Sequence, residues 1–141
     1  MGGTGVLMNV TRHTEDMSGV LFFDGNCGPC TRFRNFLLKL DRTGLLRTEP
    51  LQRAGTAQRL GVPAERLQES AWWLGDAGQV YGGAEAVNAA LSVALGTRLP
   101  LGIYRTPGVR AIENAAYRWF AAHRYRFPGT TPYCETKPMA C

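Results

Sequence analysis

The sequence predicts an α/β domain: a small mixed sheet covered by helices. Three observations lead there. A short apolar run, Val20–Phe23, is followed by residues whose apolar positions recur at helical spacing. A second strand pattern comes after that helix, and two strands joined by a helix favour parallel pairing. Further on, two short strand patterns flank Gly75-Asp76-Ala77-Gly78, a hairpin signal. A hairpin added to a parallel pair gives a mixed sheet, which must bury a face against helices.

Each element follows in order. Residues 1–18, rich in Gly and polar side chains, read as a flexible leader. Val20–Phe23, bounded by Gly19 and Asp24-Gly25, reads as a buried strand. Phe33, Phe36, Leu37 and Leu40 fall at i, i+3, i+4 and i+7, one face of a helix. Pro29 suits that helix's first turn, where its missing N–H is not needed. Asp41-Arg42-Thr43-Gly44 ends it, and Leu45–Leu51 reads as the second strand. Arg53–Leu60 and Pro63–Leu67 read as short helical pieces split by Gly61. Ala71–Leu74 and Gln79–Tyr81 are the hairpin strands.

After Gly82-Gly83, Val87, Ala90, Leu91 and Ala94 mark a second helix that Gly96 ends. Leu99–Thr106 is ambiguous, with room for one helical turn. Pro107-Gly108 opens a third helix, with Ile112, Ala115, Ala116, Trp119 and His123 along one side. Residues 128–141 read as an extended tail. The domain thus spans 19–127, preceded by the leader and followed by the tail.

The 141 residues fit one domain, and 45% hydrophobic content supports a sizeable core. No apolar stretch is long enough for a membrane span. The N-terminal residues lack a basic region followed by an apolar one, so no secretory signal is read. The expected location is cytoplasmic, where stable structural disulfides are uncommon and closely spaced cysteines are more often catalytic or metal-binding. The net charge of +5 is uneven. Residues 1–97 hold nine basic and nine acidic side chains, so the whole excess lies in the last third. With no nucleic-acid motif beside it, this is read as a solvated basic face, and no nucleic-acid partner is expected.

The stretch that carries chemistry is Leu21–Phe33, LFFDGNCGPCTRF. Cys27 falls at a helix N-terminus, where unpaired N–H groups and the dipole favour a thiolate. Such sites bring a thiol pKa from about 8.5 to roughly 3.5–7.5. Cys30 precedes Phe33 by one helical turn and is expected on the buried, apolar face. The spacing therefore casts Cys27 as the attacking sulfur and Cys30 as the resolving one. Asp24 either takes part in the proton chemistry of this pair or bonds the loop backbone as an Asx turn. A structural zinc site would need further ligands, for which Cys134 and Cys141 are the other cysteines. Those two are read first as free surface thiols, with a disulfide or a relay of electrons from Cys30 as the alternatives. Trp72 and Trp73, adjacent on a strand, should face opposite sides; one is read as core, and flanking the cysteines as a substrate surface is the minority reading for the other. His13 and His123 are read as incidental.

FFDGNCGPC resembles the signature of the DCC family of thiol–disulfide oxidoreductases, spaced D-x-x-C-x-x-C, here Asp24, Cys27 and Cys30. Asp41, Leu51-Gln52, VYGGAEAV (Val80–Val87) and RTPGVRAIENAAYRWFAAHRYRF (Arg105–Phe127) resemble the family's later blocks. The resemblance covers the whole domain. It implies a thioredoxin-like fold, here with an extra C-terminal helical segment, and thiol–disulfide exchange through CGPC, a redox-active disulfide. No organic cofactor or metal is needed for that exchange. The implied partners are a disulfide- or dithiol-containing protein or a small thiol, with a recycling reductant. The chain departs from thioredoxin at two places. Asn26 stands where a thioredoxin has Trp, and Ser70 precedes the strand where a thioredoxin has a cis-proline. Asn26, Gly28, Pro29 and Ser70 are therefore the candidate substrate-binding positions. The rival reading is a non-catalytic binding module with a basic C-terminal surface and structural or zinc-binding cysteines.

Overall fold

The structure is a computed structural model that describes residues 18–126 and 130–141. All but the last residue of the expected leader lies outside them. So does Phe127, the expected domain end.

Among the described residues, four strands form one mixed sheet, ordered β2-β1-β3-β4. β1 (Gly19–Phe23) is the second strand in the sheet and is buried at all five positions. It pairs in parallel with β2 (Leu46–Pro50) on one side and antiparallel with β3 (Trp72–Gly75) on the other. β4 (Val80–Gly82) closes the hairpin against β3. The turn is the one the sequence signals: Gly78 N–H donates to Gly75 C=O at 2.9 Å, and Gly78 takes a φ of 94°, which favours glycine.

Strand alternation divides the core in two. Leu21 and its register partner Trp73 face one side, with Leu37, Leu46 and the alanines of a central helix. Phe22 and its partner Trp72 face the other, with Val20, Leu51 and Leu60. The two tryptophans do lie on opposite faces, but both are buried. The minority reading of one as an open surface beside the cysteines therefore falls. Trp72 instead spends its indole N–H on Leu67 C=O at 2.9 Å.

On the first face lie α1 (Gly28–Leu40) and α3 (Ala84–Leu95). α3 buries Ala84, Ala86, Ala89, Ala90, Val93 and Ala94, so it is apolar around most of its circumference, as a central helix must be. The ends of α1 and α3 are tied together, since Arg42 N–H donates to Ala94 C=O at 2.7 Å. The other face is covered by α2 (Thr56–Leu60) and a 3-10 turn at Ala64–Glu69. α4 (Leu99–Tyr104) resolves the ambiguous segment as a helix. α5 (Pro107–His123) follows and runs into a 3-10 turn, Arg124–Arg126. This is a small thioredoxin-like arrangement with added C-terminal helices.

Three expectations are corrected. The stripe predicted for α5 faces solvent: Ile112 is 71% and Trp119 58% exposed. The helix packs instead through Val109, Glu113, Tyr117, Phe120 and Ala121, whose spacing is also helical. On α1, Leu37 is fully buried as expected, but Phe33 and Phe36 are exposed. Residues 130–141 are not an extended tail. They form α6 (Tyr133–Thr136) and a 3-10 turn at Pro138–Ala140.

Candidate redox site

The site is built at the junction of β1 and α1. Cys27 is the N-cap of α1, with extended backbone (φ −105°, ψ 118°), and its Sγ accepts from Cys30 N–H at 3.3 Å. Gly28 and Pro29 open the helix. Cys27 and Cys30 are joined as a disulfide, their Cα atoms 5.2 Å apart. Thr31, buried in the same turn, donates its hydroxyl to Cys27 C=O at 3.0 Å.

The burial order predicted for the cysteines is reversed. Cys27 has no exposed surface, whereas Cys30 is half-buried and lines a cavity. The reason lies in the rotation of α1. Cys30 and Phe33 do share a face, but that face turns to the cavity rather than to the packed core. The cavity, of about 570 Å³, runs between α1, α3 and α5. Its apolar lining includes Pro29, Phe33, Val87, Phe120 and Ala121.

Asp24 is buried and fully occupied. Its Oδ1 accepts from Asn26 N–H at 3.0 Å, the Asx turn, and from Gln52 Nε2 at 2.8 Å. Its Oδ2 lies 3.1 Å from Arg124 Nη2. Arg124 is also buried and donates to Gln68 C=O at 2.8 Å, so the end of α5 is clamped to the redox loop. Gln52 is pinned from both ends, because its Oε1 accepts from Gly25 N–H at 2.9 Å.

Asn26 is exposed beside Cys27. Ser70 is not brought to the cysteines. It lines a neighbouring, more polar depression with Trp72, Gly83 and Arg118, and Tyr117 borders both cavities. The backbone that follows Ser70 is also engaged, since Ala71 N–H donates to the Tyr117 hydroxyl at 2.7 Å. Burial pushes the Tyr117 phenol above its ordinary value of 10.0, against smaller opposing effects of that hydrogen bond and of Arg124.

The tail completes the site. Cys134 and Cys141 form a disulfide rather than free thiols, with Cα atoms 5.8 Å apart. Cys134 N–H donates to Gly25 C=O at 2.9 Å, and Tyr133 N–H donates to Thr31 Oγ1 at 3.1 Å. The Tyr133 ring meets Phe23 edge-on at 5.2 Å, and the Arg34 guanidinium lies over it at 5.0 Å. Sequence reasoning missed Arg124, Gln52, Tyr117 and Tyr133 as parts of this site. Only the Leu51-Gln52 block and the Arg105–Phe127 block, which holds Tyr117 and Arg124, carried a signal. Among the described residues no group of three or more His, Cys, Asp or Glu is placed to hold a metal ion, and no helix is long and apolar enough to cross a membrane.

A thioredoxin-like sheet with a CxxC pair at the strand-to-helix junction defines a thiol–disulfide class of domain. The family model for DCC1-like thiol-disulfide oxidoreductases matches residues 21–130, and the chain belongs to that family. No curated protein matches the chain, and no solved structure does.

Proposed function

We propose that the chain exchanges thiols and disulfides through CGPC, with Cys27 attacking and Cys30 resolving. The observation that carries this reading is the N-cap position of Cys27, whose Sγ accepts from Cys30 N–H. A thiolate there gains a charge-assisted hydrogen bond and the positive end of the α1 dipole. Cys27 then attacks a target disulfide, forming a mixed disulfide and releasing one target thiolate. Cys30 attacks Cys27, reforming Cys27–Cys30 and releasing the second. A thiol or dithiol donor, as in a reducing cytoplasm, returns the pair to the reduced state. Cys30 and Pro29 open onto the apolar cavity, which favours a partner disulfide flanked by apolar groups. Asp24 holds the loop in the geometry this chemistry needs; Asn26 and Gly28 line the approach to it. The non-catalytic alternative gains no comparable observation.

The test is reduction of a disulfide substrate with dithiothreitol as donor. The wild type should turn over, and Cys27→Ser should fall to the uncatalysed background with an unchanged circular dichroism spectrum. Cys30→Ser should accumulate mixed disulfides on Cys27. A wild type that exchanges with no thiol donor overturns the reading.

A further inference from the structure

Cys27 presents a problem of access, since the sulfur best activated by the helix has no exposed surface. The tail lies against its loop. The two tail hydrogen bonds land on either side of Cys27, one on Gly25 C=O and one on Thr31 Oγ1. That Thr31 hydroxyl is the one bonded to Cys27 C=O. Cys134 Sγ occupies the space a Cβ on Gly25 would fill, so its approach depends on residue 25 being glycine. The same sulfur lies 3.8 Å from Gln52 Oε1, the atom that holds Gly25 N–H. Gly25 is thus gripped by the tail through its carbonyl and its open face, two residues before Cys27. The sulfur delivered there belongs to a second disulfide.

We propose that Cys134–Cys141 is a second redox couple that exchanges directly with Cys27–Cys30. The proposal rests on the exchange chemistry argued above. Starting from the reduced CGPC pair, the Cys27 thiolate attacks Cys134 Sγ. The Cys27–Cys134 bond forms, the Cys134–Cys141 bond breaks, and Cys141 leaves as a thiolate. Cys30 gives up its proton, which ends on Cys141, and attacks Cys27 Sγ. The Cys27–Cys30 bond forms, the Cys27–Cys134 bond breaks, and Cys134 leaves as a thiolate. Two electrons and one proton pass from the CGPC pair to the tail, and the reverse sequence returns them. Tethering makes the step intramolecular, so it needs no opening wide enough for a macromolecule. In a reducing compartment a second disulfide also fits a redox role better than a structural one.

Two measurements test this. In Cys30→Ser/Cys141→Ser, mild oxidation with oxidised glutathione should give a monomer linked mainly through Cys27–Cys134, seen by non-reducing peptide mapping. In Cys27→Ser/Cys141→Ser, the Cys30–Cys134 link should be at least tenfold rarer. Equal yields, or glutathione on Cys27 with no Cys27–Cys134 link, overturn the relay and leave the tail an inert cap. The unmutated chain gives the second readout, free of any folding defect. After one equivalent of dithiothreitol, the surviving disulfide should redistribute between the two pairs before an acid quench. A tail disulfide that never changes while Cys27–Cys30 opens also overturns the relay. Exchange of Cys27–Cys30 with dithiothreitol in Cys134→Ser/Cys141→Ser separates the two readings: if it persists while the link is absent, the relay alone falls, and if neither pair exchanges in any form, the exchange reading falls with it.

Discussion

Replacing Asp24 with Asn removes one charge and almost no volume, so it isolates the ion pair beneath the redox loop. The Asp24 side chain is 2% exposed and that of Arg124 9%, with 3.1 Å between charged atoms. An Asn can keep its oxygen toward Asn26 N–H and Gln52 Nε2, but its amide nitrogen then faces the Arg124 guanidinium, donor against donor. Arg124 keeps its bond to Gln68 C=O, yet its buried charge loses the Asp24 carboxylate it faces. Breaking a buried pair from one side costs about 3–5 kcal/mol. With a urea slope of about 1.5 kcal/mol/M for a domain this size, the unfolding midpoint should fall by about 2–3 M. Urea titration followed by tryptophan fluorescence measures it, since Trp72 and Trp73 both lie in the core. Asp24→Asn/Arg124→Met removes the stranded charge as well and should recover most of the loss. A single variant costing less than about 1 kcal/mol, with the double variant no better, would refute the argument that this pair is buried and coupled.

Three further outcomes follow from the same geometry. Leu37→Ala empties a fully buried site between the sheet and α3 and should cost about 2–5 kcal/mol in the same titration. The raised Tyr117 phenol contributes stability that is fully present below pH 10.0 and is lost as pH rises through its higher folded value; alkaline unfolding followed by circular dichroism should show this loss, and Tyr117→Phe should abolish it. Val87→Trp fills the cavity beside Cys30 and should raise KM about tenfold for a disulfide flanked by apolar groups, while leaving a small hydrophilic disulfide unaffected in steady-state assays.

What was legible in the sequence was local. Val20–Phe23 ends in a turn and gives way to a helical period, so β1, α1 and the site of Cys27 could be read directly. The hairpin could be read because Gly75-Asp76-Ala77-Gly78 has the chemistry of its own turn. The face of α5 was misread because its packed side contains Glu113 and Tyr117. Their polar ends are satisfied at long range, Glu113 by Asn88 Nδ2 at 3.2 Å and Tyr117 by Ala71 N–H. A stripe of Ile112 and Trp119 looked more apolar, yet it faces water. The burial of the cysteines depends on how α1 rotates against α3 and on where the tail docks, neither of which leaves a periodic mark. α6 is four residues long, too short to declare itself, and it is placed by bonds to Gly25 and Thr31. The Asp24–Arg124 pair likewise joins two residues whose separate motifs say nothing of each other.

That distance along the chain has a consequence for biosynthesis. Thr31 and Tyr133, bonded in the finished fold, are 102 positions apart, and Arg124 reaches Asp24 across a similar span. As the polypeptide leaves the ribosome, Cys27 and Cys30 emerge long before the segment that comes to lie against their loop. Until then the nascent pair stands open to glutathione and to other cysteines. The interval between those two moments is when a wrong disulfide is easiest to make.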